Sequence, residues 1–402
     1  MPHSLSKEIH GAFGLDYSLV ELADDLALCA FAKAREYDGF NVTIPYKEEI
    51  IKHLDGVDKE AAAIGAVNTV IKREGNLFGF NTDIGGMAFA FESAGIDVFG
   101  KTVMVLGSGG TSKTARRYAK KRGAKDIFTV SRSGEIDYRN CYDYPAEVLI
   151  NTTPVGMAPH AGDSPVDLSR FQNLCAVFDA VYNPLNTRLL MQAKELGLTF
   201  SNGLNMLVEQ ARLARDMFTG TLSENSLTQK LCGKLFFERA SIVLIGMAGC
   251  GKSAVGRAVA KELSRQFLDT DEIVQRKTGK SVPDIFAQLG EAEFRALERQ
   301  AVKDAAEAPG AVIATGGGAP MSDENRAALN GNGVIVYITR PFENLDLTER
   351  PLYTDVLEVK RLFSAREPIY RKFCDIEIQN AGTVGDVAKK VISAVKRFVG
   401  YK

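Results

Sequence analysis

The chain has almost no excess charge: 49 Lys and Arg stand against 50 Asp and Glu, a formal net charge of −1. That balance excludes a generally cationic nucleic-acid binder, and the expectation is no nucleic-acid partner. No stretch of the sequence approaches 18 consecutive apolar residues, which predicts no membrane-spanning helix and no membrane association. The opening Met1-Pro2-His3-Ser4 is not a basic segment leading into an apolar one, so no secretory leader is expected. The six cysteines are scattered singly without a C-x-x-C pair, which excludes a zinc or disulfide framework and predicts a cytoplasmic chain. Repeats and low-complexity segments are also missing.

What is present is ample apolar material, 45% of 402 residues, enough for two or three domains at roughly 150 residues each. Short β-branched runs alternate with longer helical patterns, the signature of an α/β fold built on parallel sheets. Two of the runs lead directly into glycine-rich turns: Thr102-Val103-Met104-Val105-Leu106 before Gly107-Ser108-Gly109-Gly110, and Ile242-Val243-Leu244-Ile245 before Gly246. Each reads as the strand, phosphate loop and helix of a nucleotide-binding unit. The expected division is residues 1–235 and 240–402. Within the first part, residues 1–87 plus 204–235 form one lobe, and 88–203 form a nucleotide lobe.

Gly246 to Ser253 matches G-x-x-x-x-G-K-[ST] after a strand. The glycines let backbone N–H groups surround phosphates, Lys252 reaches the β- and γ-phosphates, and the Ser253 hydroxyl suits Mg²⁺. Downstream come Asp269-Thr270-Asp271, Phe294-Arg295, Gly316-Gly317-Gly318, Arg350-Pro351-Leu352 and Arg366-Glu367-Pro368-Ile369-Tyr370. Phosphoryl transfer needs charge neutralisation and a positioned acceptor more than covalent chemistry. Two carboxylates beside one strand end can divide those tasks. Each Arg taken singly is more often a solvated surface residue, and the ordered set carries the signal.

In that order the motifs resemble the shikimate kinase family from Ser241 onward. The resemblance implies a P-loop kinase with a parallel sheet flanked by helices. It implies ATP on Gly249, Cys250, Gly251, Lys252, Ser253 and Arg350, and Mg²⁺ on Ser253 and Asp269. Shikimate would lie on Asp271, Arg295, Gly317 and Arg366. Lys252 and Arg350 would stabilise the transferring group, and Asp271 would orient the attacking hydroxyl. The chain departs from the family in having no Arg across 341–349 and a short lid between Arg350 and Arg366.

In the first half, Gly107-Ser108-Gly109-Gly110 alone is a weak dinucleotide signal. The next strand, Asp126 to Val130, ends in Ser131-Arg132-Ser133 rather than in an acidic residue. An Arg there accommodates a ribose 2′-phosphate and points to NADP(H). Lys47 in N-V-T-I-P-Y-K and Asp83 in N-T-D could form a proton donor held by a carboxylate. By spacing alone they could equally be an exposed ion pair.

Five motifs weigh toward the first reading: N-V-T-I-P-Y-K, G-A-V-N-T, N-T-D, I-N-T-T-P-V-G-M and N-G-L-N-M-L-V-x-Q-A, which together resemble the shikimate dehydrogenase family up to about residue 220. The resemblance implies a two-lobed enzyme in which Lys47 transfers the proton, paired with Asp83. Ser4, Ser6, Thr43, Asn68, Asp83, Tyr182 and Gln210 would hold 3-dehydroshikimate or shikimate. Gly107, Ser108, Gly109, Gly110, Ser131, Arg132 and Gly203 would line the NADP site. Departures are the family's strand before S-x-S, absent here, no second Arg after Arg132, and a short link from Ser133 to Val148. Together the halves imply a bifunctional enzyme that reduces 3-dehydroshikimate and then phosphorylates shikimate. The alternatives are a quinate/shikimate specificity or one half that is degenerate. Oligomeric state is not legible.

Overall fold

A computed structural model describes residues 4–345 and 356–401. The chain divides into two compact units, Met1–Cys232 and Gly233–Lys402. In the first, helices α1 (Ser6–Ala12) and α2 (Asp25–Ala34) precede strand β1 (Gly39–Asn41). Strand β2 (Gly56–Val57), α3 (Lys59–Ile64), β3 (Thr69–Arg73) and β4 (Asn76–Phe80) complete a mixed sheet ordered β1-β3-β4-β2. Helix α4 (Asp83–Ala94) leads to a second sheet.

That sheet is parallel throughout, ordered β6-β5-β7-β8-β9: β5 (Thr102–Leu106), β6 (Asp126–Val130), β7 (Val148–Asn151), β8 (Ala176–Asp179) and β9 (Thr199–Ser201). Helix α5 (Gly110–Lys121) follows β5, and α6 (Arg188–Glu195) precedes β9. Strands β5, β7 and β8 are buried on both faces, which explains their unbroken apolar runs. Helix α7 (Leu204–Thr219) returns to pack along α4. Gly86 allows that approach, because a Cβ there would lie 2.5 Å from the Met206 carbonyl oxygen.

Helix α8 (Ser226–Arg239) runs across the division between the units. The second unit is one parallel sheet in the order β11-β12-β10-β13-β14. Its strands are β10 (Ser241–Ile245), β11 (Phe267–Asp269), β12 (Val312–Ala314), β13 (Gly333–Thr339) and β14 (Ile376–Gln379). Helices α9 (Lys252–Leu263), α10 (Thr270–Thr278), α11 (Val282–Ala306), α12 (Asp323–Asn330), α13 (Val356–Phe373) and α14 (Val384–Phe398) surround it. Parallel order brings the loops after β10, β11 and β12 to one edge, where open α/β sheets bind ligands. Among the described residues no helix is long and apolar enough to cross a membrane.

Candidate active sites

In the first unit, the turn from Thr43 to Tyr46 aims Lys47 inward, with the Tyr46 amide donating to the Thr43 carbonyl at 2.9 Å. The Lys47 carbonyl accepts from Val67 at 2.7 Å, which ties this turn to the G-A-V-N-T segment. Lys47 Nζ then donates to Asp83 Oδ2 at 2.7 Å, the side chains being 14% and 7% exposed. The pair is therefore shielded, unlike an ordinary surface ion pair. Asp83 opens α4, where a carboxylate also meets the positive end of the helix.

Asn68 organises the other side. Its Nδ2 donates to Asp83 Oδ1 at 2.9 Å and to Thr82 Oγ1 at 3.0 Å, and its Oδ1 accepts from the Thr82 amide at 2.7 Å. Gln210 Oε1 on α7 comes within 3.4 Å of the same Nδ2. The structure thus gathers Lys47, Asn68, Asp83 and Gln210 from four distant segments. Ser4 and Ser6 bond each other at 3.2 Å at the start of α1, a helix that packs on α7. Thr43 is exposed in the turn, and Tyr182 is half-buried beyond β8.

The nucleotide edge begins at Gly107, whose φ of +112° favours glycine, and a Cβ there would meet Thr152 Oγ1 at 2.6 Å. Ser112, at the position of a third glycine, is buried and donates to the Gly107 carbonyl at 2.7 Å, closing the loop. Gly109 caps α5 without a side-chain bond, which leaves first-turn N–H groups for a phosphate, and Ser108 lies between. A Cβ on Gly110 would contact the Lys47 stem at 3.4 Å, so this loop abuts the Lys–Asp pair. Arg132 is exposed beyond β6 beside the half-buried Ser131. Gly203 presses on the Ala180 carbonyl, where no side chain fits. These features suit NADP(H).

Sequence reasoning missed Asp179. Wholly buried at the end of β8, it accepts from Asn151 at 2.9 Å, the Val181 amide at 3.0 Å and Thr187 at 2.6 Å. Burial pushes its carboxyl up to about 6, against these hydrogen bonds. It joins the loops after β7 and β8. The one available signal was an acid ending the apolar run Ala176-Val177-Phe178, with Thr187 eight residues later, and that is no motif.

In the second unit, Gly251 adopts φ +97° and caps α9 without a side-chain bond. Lys252, nearly buried, donates to the carbonyls of Gly246 and Met247 at 2.9 and 2.8 Å, spanning the loop. Ser253 Oγ donates to Asp269 Oδ2 at 2.6 Å, a hydroxyl and a carboxylate that together fit a mostly hydrated Mg²⁺. Asp269 Oδ1 also caps α10 by accepting from Asp271 at 3.0 Å. Gly249 and Cys250 complete the loop, and Asn380 holds the Cys250 carbonyl at 2.7 Å, an anchor from the far sheet edge that spacing does not reveal.

The acceptor side converges beyond β12. A Cβ on Gly316 would lie 2.7 Å from Asp271 Oδ1 and 2.9 Å from Glu298 Oε1, and one on Gly317 would lie 3.7 Å from Arg366. Arg295 pairs with buried Glu298 at 2.9 Å. Burial raises the Glu298 pKa, with Arg295 opposing it. Glu298 was also missed, although an acid three residues after an Arg on a helix is a recognisable pairing. Asp271, Arg295 and Arg366 therefore meet around the 316–318 loop that carries Gly317. Arg350 lies outside the described residues, as does much of the expected short lid.

Comparison with known proteins gives two family matches: shikimate dehydrogenase substrate binding domain over residues 2–70 and shikimate kinase over 248–396. A shikimate dehydrogenase (NADP(+)) of Caldicellulosiruptor bescii is 37% identical, aligning 52% of this chain with 83% of its own length. One from Clostridium perfringens is 34% identical over 58% and 94%, respectively. Among solved structures, shikimate dehydrogenase 1 of Peptoclostridium difficile matches at 36% identity and TM-score 0.55, covering 58% of this chain and 94% of that one. A Thermus thermophilus shikimate 5-dehydrogenase, solved with NADP(H) and shikimate, matches at 34% and 0.51, covering 56% and 93%.

Proposed function

The chain belongs to the shikimate dehydrogenase family and carries a shikimate kinase domain behind it, and from that premise we propose that it makes shikimate 3-phosphate in two steps. The first unit reduces 3-dehydroshikimate with NADPH, and the second phosphorylates the resulting shikimate with MgATP. The single observation that carries this reading is that the product of one family is the acceptor of the other within one chain.

Bound NADPH supplies the hydride. The protein's own part is to place an ammonium proton beside the forming alkoxide, which contributes typically 10²–10⁴-fold. Lys47 Nζ gives that proton, and Asp83 holds the ammonium aimed across a 2.7 Å bond. Asn68 and Gln210, together with Ser4, Ser6, Thr43 and Tyr182, hold the substrate carboxylate and hydroxyls. Gly107 to Gly110, Ser131, Arg132 and Gly203 hold the cofactor. In the second unit Lys252 neutralises phosphate charge, Ser253 and Asp269 hold Mg²⁺, and Asp271 orients the acceptor hydroxyl. Arg295, Arg366 and Gly317 hold the rest of the acceptor, and the family resemblance assigns Arg350 to the transferring group.

The test is to incubate the protein with 3-dehydroshikimate, NADPH and MgATP and weigh the products. Shikimate 3-phosphate is the expected product. Shikimate alone refutes the kinase assignment, and no conversion while added shikimate is still phosphorylated refutes the reductase assignment.

A further inference from the structure

Helix α13 carries Arg366 and Tyr370 one turn apart, so both side chains fall on one face. Tyr370 is wholly buried, its ring against Tyr337 with centroids 5.3 Å apart. Its hydroxyl donates to the Gly317 carbonyl at 2.5 Å, with the Met247 thioether 3.7 Å away. That carbonyl belongs to the peptide between Gly317 and Gly318. On the Gly317 side, a Cβ would stand 3.7 Å from the Arg366 guanidinium. On the Gly318 side, a Cβ would run directly into the Arg295 guanidinium. Two arginines from two helices thus flank one peptide unit, and a third side chain pins its orientation.

We propose that Tyr370 is a positioning residue for the acceptor pocket: its hydroxyl fixes the Gly317–Gly318 peptide, and through it the spacing of Arg295 and Arg366. This rests on the kinase reading above. Glycines leave the peptide free to rotate, so no side chain of the loop itself can hold it. A carboxylate-bearing acceptor gripped by guanidinium groups depends on their separation, because charge-assisted pairing is geometrically specific. The same peptide also borders the phosphate loop, a Gly317 Cβ standing 3.1 Å from the Ala248 amide and the hydroxyl 3.7 Å from Met247, but that loop has its own supports in Lys252 and Asn380, so the nucleotide side depends on this hydroxyl less than the acceptor side does.

The experiment is steady-state phosphorylation of shikimate by the full chain and by Tyr370→Phe, which removes one oxygen and keeps the ring. Leaving the half-buried Gly317 carbonyl without its Tyr370 donor predicts a rise of about tenfold in KM for shikimate, with KM for MgATP held within about twofold. The reductase rate serves as an internal control. A lowered thermal midpoint with both KM values unchanged would mean a merely structural role and overturn the proposal, as would a parallel rise in both. Should Tyr370→Phe fail to fold, Gly318→Ala presses on Arg295 from the same peptide and must give the same split; wild-type acceptor binding in that variant overturns the proposal. Wild-type protein that phosphorylates no shikimate would instead overturn the kinase reading itself.

Discussion

Replacing Lys47 by Met separates proton transfer from every other duty of the first unit. The thioether chain keeps the stem that lies against Gly110, so the nucleotide loop retains its contact. What disappears is the ammonium 2.7 Å from Asp83. Losing a positioned acid costs about 10²–10⁴ in turnover, or about 3–5 kcal/mol of barrier. Asp83 keeps its bond from Asn68, so substrate binding changes less than turnover. NADPH oxidation at saturating 3-dehydroshikimate reads the loss, and shikimate-dependent ADP release reports the second unit in the same sample. Because Asp83 acts through Lys47, adding Asp83→Asn to the Lys47→Met variant should lower turnover little further, the non-additivity expected of a working pair. Turnover within about tenfold of wild type, below the range for an acid, refutes Lys47 as the proton donor. Additive losses refute the coupling to Asp83.

Three further outcomes follow from the same geometry. Asp271→Asn should lower phosphorylation by about 10²–10⁴ while leaving reduction intact, and an unimpaired kinase assay removes Asp271 from the mechanism. Asp179, raised from 3.8 to about 6, stabilises the fold fully below pH 3.8 and loses about 3 kcal/mol as pH rises through 6. Urea melts should therefore show Asp179→Asn gaining on wild type by about 1.4 kcal/mol per pH unit between pH 4 and 6, and a flat difference contradicts this. Buried His10, stacked on Tyr17 and lowered from 6.5 to about 4 by desolvation, has the opposite sign. Its contribution is present above pH 6.5 and about 3 kcal/mol is lost as pH falls to 4, so His10→Phe should flatten the acid limb of the stability curve.

Local chemistry made much of this protein legible from its residue order. A strand, a glycine turn and a helix need only near neighbours, so both nucleotide loops can be read from Thr102–Gly110 and Ile242–Ser253. The Arg at the end of β6 and the paired acids at the end of β11 follow for the same reason, since position in such a unit dictates what a side chain can reach. Tertiary structure decided everything that depends on distance across the chain. It alone distinguishes a shielded Lys47–Asp83 pair from an exposed one, because Asn68, Gln210 and the Gly110 loop arrive from separate elements to enclose it. Asp179 and Asn380 carry no motif of their own, yet each satisfies buried polar groups on a loop beside a different strand. Tyr370 is visible in the sequence as one letter of a motif. Its contact with the carbonyl between two arginines exists only because a parallel sheet brings β12 and α13 to the same edge.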